Sequence, residues 1–149
     1  MLLVEKVILL KSTNIFRNTP EQELIDLACI MDEIEYEAGS NIFKKGDEGN
    51  SLYLVYKGSV SIHDGDYQFA VLLPNEIFGE LSLLDAEPRS AAATAITDCG
   101  LLKLSQEPFY EVLMQNSNIL KGLMSTLCRR LRDGDKKNAA LSQKVPVSE

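Results

Sequence analysis

Histidine, cysteine and long hydrophobic runs are all scarce in this chain, and each scarcity excludes a kind of function. The single histidine, His63, cannot supply the several ligands that a metalloenzyme of the cupin type gathers inside its barrel. The three cysteines, Cys29, Cys99 and Cys128, are odd in number, far apart and without C-x-x-C spacing, so neither a disulfide framework nor a zinc site is predicted. The apolar run at the start, MLLVEKVILL, is interrupted by charge and is too short to cross a bilayer.

Basic side chains are in the minority. The 149 residues include 22 acidic and 15 basic ones, which gives a formal net charge of -7 at pH 7. Because such a field repels polyanions, nucleic acid is not an expected partner. No signal-peptide cleavage pattern follows the first apolar run, so we expect a cytoplasmic domain without direct membrane insertion, either alone or within a membrane-associated parent protein. No Walker loop or nucleophile elbow is present, and we predict that the chain is not an enzyme and binds no metal.

Length and composition predict one globular domain. The chain is long enough for a single core and too short for two domains of ordinary size. Its content of 45% hydrophobic and 25% charged residues is typical of a soluble globular protein. We therefore predict a domain over residues 1–134 and a flexible C-terminal tail over residues 135–149.

Helical patterns occur at both ends of the chain. TPEQ at positions 19–22 predicts a helix with a capping threonine, a proline in the first turn and a capping-box glutamine, and a second short helix is predicted before it. Near the C-terminal end, Ser105 predicts a helix N-terminus. An apolar stripe from Ile119 to Leu131 then predicts a long helix that stops near Gly134.

Between the helices, short runs rich in Ile, Val, Tyr and Phe alternate with turn residues, from EIEYEAG at residue 33 to GLLKLS at residue 100. This is the pattern of an antiparallel β-series. Asp64-Gly65 is its strongest hairpin signal, with His63 and Tyr67 expected on either side. The predicted fold class is α+β, mainly β: an antiparallel jelly-roll barrel flanked by N-terminal and C-terminal helices, with a short helix within the barrel.

The stretch FGELSLLDAEPRSAAA, residues 78–93, contains that short helix and an isolated arginine behind a proline. A helix beginning near Gly79 exposes backbone N–H groups where a ligand can come close, and Arg89 adds a fork of donors suited to a phosphate. A phosphate repels a carboxylate, so Glu80 is better matched to a hydroxyl donor such as a ribose 2′-OH. The short helix is therefore predicted to be phosphate-binding, and the two groups together describe a nucleotide.

The same stretch closely resembles the phosphate-binding cassette of the cyclic nucleotide-binding domain family, which includes protein kinase A regulatory subunits, catabolite activator proteins and cyclic nucleotide-gated channels. The resemblance continues through IFKKGDEGNSLYLVYKGSV, residues 42–60, and covers nearly the whole chain, from Leu10 to Leu131. It implies that Glu80 binds the ribose 2′-OH and that Arg89 binds an exocyclic phosphate oxygen. It also implies that further residues of the stretch line the pocket: Gly79, Leu81, Ser82, Ser90 and Ala91.

Turn positions support the resemblance. Gly46, Gly49 and Gly58 fall at the family's turn glycines, where we expect positive φ and a structural role rather than a ligand contact. Asn75 replaces a glycine that many members have, which is tolerable because asparagine also accepts a left-handed φ.

Two features near the arginine leave alternatives open. Asp85 and Glu87 lie close to Arg89 in sequence, and either could pair with it when no ligand is bound. Ser90 follows the arginine where cGMP-preferring members often have threonine, so the resemblance favours cAMP and leaves cGMP open. A group that covers the base should come from the C-terminal helix, where an arginine could stack on adenine. The candidates for this base lid are Arg129, Arg130 and Arg132.

These observations lead to three hypotheses. The first is a non-catalytic cAMP sensor that regulates a fused or associated effector allosterically, through its C-terminal helix, whose apolar face could also carry a homodimer contact. The second is a ligand-free scaffold or docking domain with the same fold. The third, a DNA-binding regulator that uses the basic cluster from Arg129 to Lys137, is disfavoured by the net charge.

Overall fold

The computed structural model describes residues 1–144, apart from the side chains at 81, 84, 117, 130 and 134–144. Within this part the chain forms helices at both ends and one short helix in the middle: α1 (Leu3–Lys11), α2 (Glu21–Cys29), α3 (Leu81–Leu84), α4 (Gln106–Gln115) and α5 (Ser117–Lys144). The strands lie between α2 and α4: β1 (Asp32–Tyr36), β2 (Asn41–Phe43), β3 (Ser51–Lys57), β4 (Val60–Asp64), β5 (Tyr67–Leu72), β6 (Ile77–Phe78), β7 (Ala92–Ala95) and β8 (Cys99–Ser105).

The strands form two four-stranded antiparallel sheets, in the orders β1-β8-β3-β6 and β2-β7-β4-β5. Alternate side chains of a strand point to opposite faces of its sheet. Strand β3 accordingly contributes Tyr53 and Val55 to a core shared by both sheets, and Leu52 and Leu54 to a second core shared with α1, α2, α4 and α5. This arrangement confirms the predicted class, α+β and mainly β with a jelly-roll-like fold, although the strands form two separate sheets rather than a closed barrel.

The turn positions confirm most of the sequence predictions. Asn75 has a φ of 76°, and its N–H donates a hydrogen bond to the Val55 carbonyl oxygen at 2.8 Å. Gly46 and Gly58 also have positive φ. In the β4–β5 hairpin, Asp64 pairs with Tyr67, so the two-residue turn lies one residue later than predicted.

Two helix ends differ from the prediction. The side chain of Thr19 does not cap α2; instead the carbonyl oxygen of Pro20 accepts hydrogen bonds from the N–H groups of Glu23 and Leu24, at 3.0 and 3.1 Å. Helix α5 does not stop near Gly134 but continues to Lys144. A glycine inside a helix costs only about 1 kcal/mol relative to alanine, and the helix-forming residues that follow it offset this cost. The division into a domain of 1–134 and a flexible tail of 135–149 stays a prediction, and residues 145–149 lie outside the described part.

Candidate ligand-binding site

A cleft of about 650 Å³ opens between the strands and the segment that contains α3. This volume lies within the range of binding pockets for small ligands. Its apolar wall comes from the strands: Phe43, Ile62, Leu72, Ile77 and Phe78. Its opposite, largely polar wall comes from the stretch singled out in the sequence: Gly79, Glu80, Ser82, Asp85, Glu87, Pro88, Arg89, Ser90 and Ala91.

Arg89 supplies a buried positive charge to this lining. Only 9% of the residue is exposed. Its Nη1 donates a hydrogen bond to Ser82 Oγ at 2.9 Å, and its Nη2 donates to the carbonyl oxygen of Ser51 at 2.9 Å. Its Nε is buried without a hydrogen-bond partner. Because a buried donor left without a partner costs about 1–3 kcal/mol, a ligand oxygen that reached this edge of the guanidinium would gain a favourable contact.

Aromatic rings support the flat face of the guanidinium. Arg89 Cζ lies 4.2 Å from the centroid of the Phe43 ring and 5.9 Å from that of Tyr53. The ring of Phe78 stacks on Tyr53 with centroids 5.1 Å apart, and it lies 6.0 Å from Phe43. A cation over an aromatic face gains about 0.5–2 kcal/mol, so this three-ring cluster orients Arg89 without neutralising its charge.

No carboxylate pairs with Arg89 in the described part of the chain. Asp85 and Glu87 line the same cleft, but neither forms the salt bridge with Arg89 that their positions in the sequence suggested, because its donors go to neutral oxygen atoms instead. Burial lowers the pKa of Arg89, and the nearby Tyr53 and Asp47 raise it in part. A guanidinium remains protonated at ordinary pH, so the charge stays available to an anion.

Backbone hydrogen bonds hold Arg89 against residues 46–49, which are distant in the sequence. The Arg89 N–H donates to the carbonyl oxygen of Asp47 at 2.7 Å, and the Gly46 N–H donates to the carbonyl oxygen of Arg89 at 2.8 Å. The Gly49 N–H donates to the carbonyl oxygen of Glu87 at 3.1 Å. The two stretches that carry the family resemblance therefore meet at the guanidinium.

Two glycines leave room for this side chain. A Cβ on Gly49 would lie 2.8 Å from both Arg89 Nε and Ser82 Oγ. A Cβ on Gly79, whose φ is 78°, would lie 2.8 Å from Arg89 Nη1. The expectation that Gly49 needs positive φ is wrong: it is absent from the positive-φ glycines, and its lack of a side chain is required by the space that Arg89 occupies.

The remaining candidate residues of the stretch lie around the cleft. Glu80 and Ala91 are half-buried, Ser90 is exposed, and all three line it. Ser82 lines it as well, with its hydroxyl on Arg89. The side chain of Leu81 is among those not described.

The arginines predicted to form a base lid lie on α5. Arg129 and Arg132 are exposed, and neither lines the cleft. The side chain of Arg130 is not described. The lid role of these residues therefore stays a prediction.

Sequence reasoning did not identify the apolar wall or the support of Arg89. Phe43 and Ser51 lie within the stretch that carries the resemblance, but their contacts with Arg89 depend on strand pairing that no local pattern reports. The inward position of Ile62 could have been predicted, because Ile62 lies two residues from the buried Val60 in β4 and so points to the same face of the sheet.

Helix α3 connects the cleft with the helical layer. Leu83 is 1% exposed and belongs to the same core as Ile119 and Leu123 of α5. Its carbonyl oxygen accepts a hydrogen bond from Gln106 Nε2 at 3.1 Å, at the start of α4. Helix α3 therefore contacts both the lining of the cleft and the start of α4.

Neither a membrane-spanning helix nor a metal-binding cluster occurs among the described residues. No helix in this part of the chain combines the length and the apolar composition needed to cross a membrane. No group of three or more His, Cys, Asp or Glu side chains described here is placed to hold a metal ion.

Comparison with known proteins gives consistent matches. The family model of the cyclic nucleotide-binding domain matches residues 33–116. The cyclic AMP receptor protein of Thermus thermophilus is 37% identical over 132 residues, which are 85% of this chain and 61% of that protein. Human cGMP-dependent protein kinase 2 is 27% identical over 140 residues, 89% of this chain and 18% of the kinase. The chain thus spans less than two thirds of these curated relatives.

A solved structure agrees with the sequence matches. The N-terminal domain of a transcriptional regulator from Streptomyces coelicolor A3(2) superposes with a TM-score of 0.80 at 31% identity, and the match covers 87% of this chain and 93% of that one. Because the family model covers more than half of the chain, and because the cleft brings its cassette residues together around Arg89, this protein belongs to the cyclic nucleotide-binding domain family.

Proposed function

We propose that this domain is a non-catalytic sensor of cAMP that binds the nucleotide in the cleft and signals through α5. The observation that carries the proposal is the buried guanidinium of Arg89, which faces the cleft without a carboxylate partner among the described residues. A single fixed cation of this kind matches the single negative charge of a cyclic phosphodiester. The half-buried Glu80 lines the same cleft and accepts hydrogen bonds when ionised, as a ribose 2′-OH requires.

The proposed roles follow the position of each residue. Arg89 binds the exocyclic phosphate oxygen and Glu80 binds the 2′-OH. Gly79 allows the backbone close to the ligand, and Ser82 positions Arg89. Leu81, Ser90 and Ala91 complete the pocket as the family resemblance implies.

The proposed base is adenine. The apolar wall suits either purine, and Ser90 in place of threonine favours cAMP over cGMP. The relatives include both a cyclic AMP receptor protein and a cGMP-dependent kinase, so the affinities for cAMP and cGMP are compared in the titration below. An arginine of α5 would cover the base after a movement of that helix.

Signalling is proposed to run from α3 to α5. Leu83 packs in the core that also holds Ile119 and Leu123, so a ligand that prefers one position of α3 shifts the population of α5 positions. The output is a fused or associated cytoplasmic effector. Leu120, Met124 and Leu131 of α5 are exposed, and this apolar face would suit a homodimer.

The contact between Glu80 and the ribose can be tested with 2′-deoxy-cAMP. We expect Glu80→Gln to weaken cAMP binding about 10- to 100-fold, since a hydrogen bond to a charged group contributes about 1.5–3 kcal/mol. Removing the 2′-OH from the ligand should cost a similar factor with the native protein, and little more with the variant. Equilibrium titrations of both proteins with cAMP, cGMP and 2′-deoxy-cAMP measure this cycle.

The matched control is Glu107→Gln, which alters an exposed glutamate of α4 outside the cleft lining and should leave all three affinities unchanged. Independent, additive losses from the variant and the deoxy ligand would contradict the assignment of Glu80. A folded native protein that binds none of the nucleotides would favour the scaffold hypothesis.

A further inference from the structure

The cleft contains more negative than positive side chains. Arg89 is the cation of its lining, whereas Glu80, Asp85 and Glu87 contribute carboxylates. A site built only to attract phosphate would not include three acids in the same lining as its arginine, because a negative charge in the lining repels the ligand. Attraction of a phosphate therefore does not explain the presence of these acids.

Glu80 has a proposed role on the ribose, but Asp85 and Glu87 do not. Both are exposed at the cleft, and neither forms a salt bridge in the described part of the chain. Glu87 contributes to the backbone hydrogen bonds around Arg89 through its carbonyl oxygen, which accepts from the Gly49 N–H. Their carboxylates therefore act on the cleft through their field.

The effect of that field depends on the charge of the ligand. A Coulomb energy is proportional to each charge, so a fixed acid repels a dianion twice as strongly as a monoanion at the same position. A cyclic phosphodiester carries one negative charge, whereas a phosphomonoester carries nearly two above its second pKa of about 6. A carboxylate in the lining of the cleft thus separates these two classes of nucleotide.

We propose that Asp85 and Glu87 are specificity-determining residues that make the cleft accept a cyclic monoanion and reject the corresponding dianionic monoester. The inference rests on the proposed function, because it assumes that the phosphate lies at Arg89. Arg89 supplies the attraction that both ligands share. The two acids convert the difference in ligand charge into a difference in affinity, at the expense of some affinity for the cyclic nucleotide.

The test compares the double variant Asp85→Asn/Glu87→Gln with the native protein, using cAMP and 5′-AMP as probes at pH 8 and low salt. Direct titration measures cAMP, and displacement of a fluorescent cAMP analogue measures 5′-AMP. The control Asp133→Asn/Glu111→Gln removes the same two charges from exposed positions of α5 and α4 outside the cleft lining. Neither pair of acids belongs to the binding contacts proposed above.

We expect the affinity for cAMP to rise about two- to fivefold in the double variant and the affinity for 5′-AMP to rise by about the square of that factor. The control should change both by less than about 1.5-fold, because its charges lie outside the cleft and are screened. A cAMP affinity that rises no more than in the control overturns the proposal. So does an equal rise for both nucleotides, or 5′-AMP that still fails to displace the analogue at about 10 mM while cAMP binds more tightly. Absence of cAMP binding by the native protein would instead reject the proposed function.

Discussion

At the scale of single residues, the account depends on how Arg89 is kept charged and in place while 9% exposed. Burial lowers its pKa, the nearby Tyr53 and Asp47 offset this only in part, and no described carboxylate forms a salt bridge with it. The guanidinium directly contacts neutral groups: the Phe43 ring at 4.2 Å, and Ser82 Oγ and the Ser51 carbonyl oxygen, each at 2.9 Å. These neutral groups hold the side chain and leave its charge for the ligand.

The role of Phe43 can be tested with Phe43→Leu. The substitution keeps the wall of the cleft apolar but removes the aromatic face beneath the guanidinium. We expect cAMP affinity to fall about 3- to 30-fold, since a desolvated cation–π contact contributes about 0.5–2 kcal/mol. Phe43→Tyr should restore most of the loss, because it restores the ring.

Ile62→Val is the matched control, because Ile62 is a strand residue that lines the same wall and has no aromatic face to offer the guanidinium. Titration of the three variants with cAMP compares them directly. Equal losses for Phe43→Leu and Ile62→Val would show that the ring acts only as part of the wall.

At the scale of elements, α3 is the short helix that lies between the cleft and the helical layer. Four residues cannot form a stable helix alone, so its position depends on contacts at its two sides. Ser82 contacts Arg89 on the cleft side, while Leu83 is buried in the core that also contains Ile119 and Leu123, and its carbonyl oxygen accepts a hydrogen bond from Gln106. The position of α3 thus depends on contacts with both the cleft and the helical core.

The anchoring of α3 predicts the effect of Leu83→Ala. Because the side chain is 1% exposed, its truncation leaves a cavity between α3 and the helical core, and the free energy of unfolding should fall by about 2–5 kcal/mol. Leu120→Ala, at a position of α5 that is 41% exposed, should cost less than about 1 kcal/mol. Urea unfolding of both variants measures the difference. Similar losses at the two positions would contradict the anchoring of α3.

At the scale of the whole molecule, the fold class and the cassette could be predicted from the sequence because local patterns encode them. Short apolar runs that alternate with turn residues predicted the β-series. Asn75 could be recognised as a left-handed turn residue, and its φ in the structure is 76°. The end of α5 could not be predicted, since Gly134 is tolerated inside a helix that extends to Lys144.

The surroundings of Arg89 were the least predictable part of the site. In the sequence, Gly49 looks like an ordinary turn glycine. In the structure, a glycine is required there because a Cβ would lie only 2.8 Å from Arg89 Nε. Phe43 reaches the guanidinium because β2 pairs with β7, not because of any neighbour in the sequence. In a chain with a net charge of -7, contacts between distant segments thus hold one buried arginine in the lining of the cleft.

The most direct test of the central claim is isothermal titration of cAMP into ligand-stripped protein, with Arg89→Ala and Arg17→Ala compared with the native chain. Arg17 is an exposed arginine outside the cleft lining, so its removal changes the net charge equally without touching the site. The account predicts that Arg89→Ala weakens binding by about 30- to 1,000-fold, as expected for the loss of one partner of a buried charge pair, while Arg17→Ala stays within about twofold of the native affinity. A folded Arg89→Ala variant that bound cAMP as tightly as the native protein would contradict it.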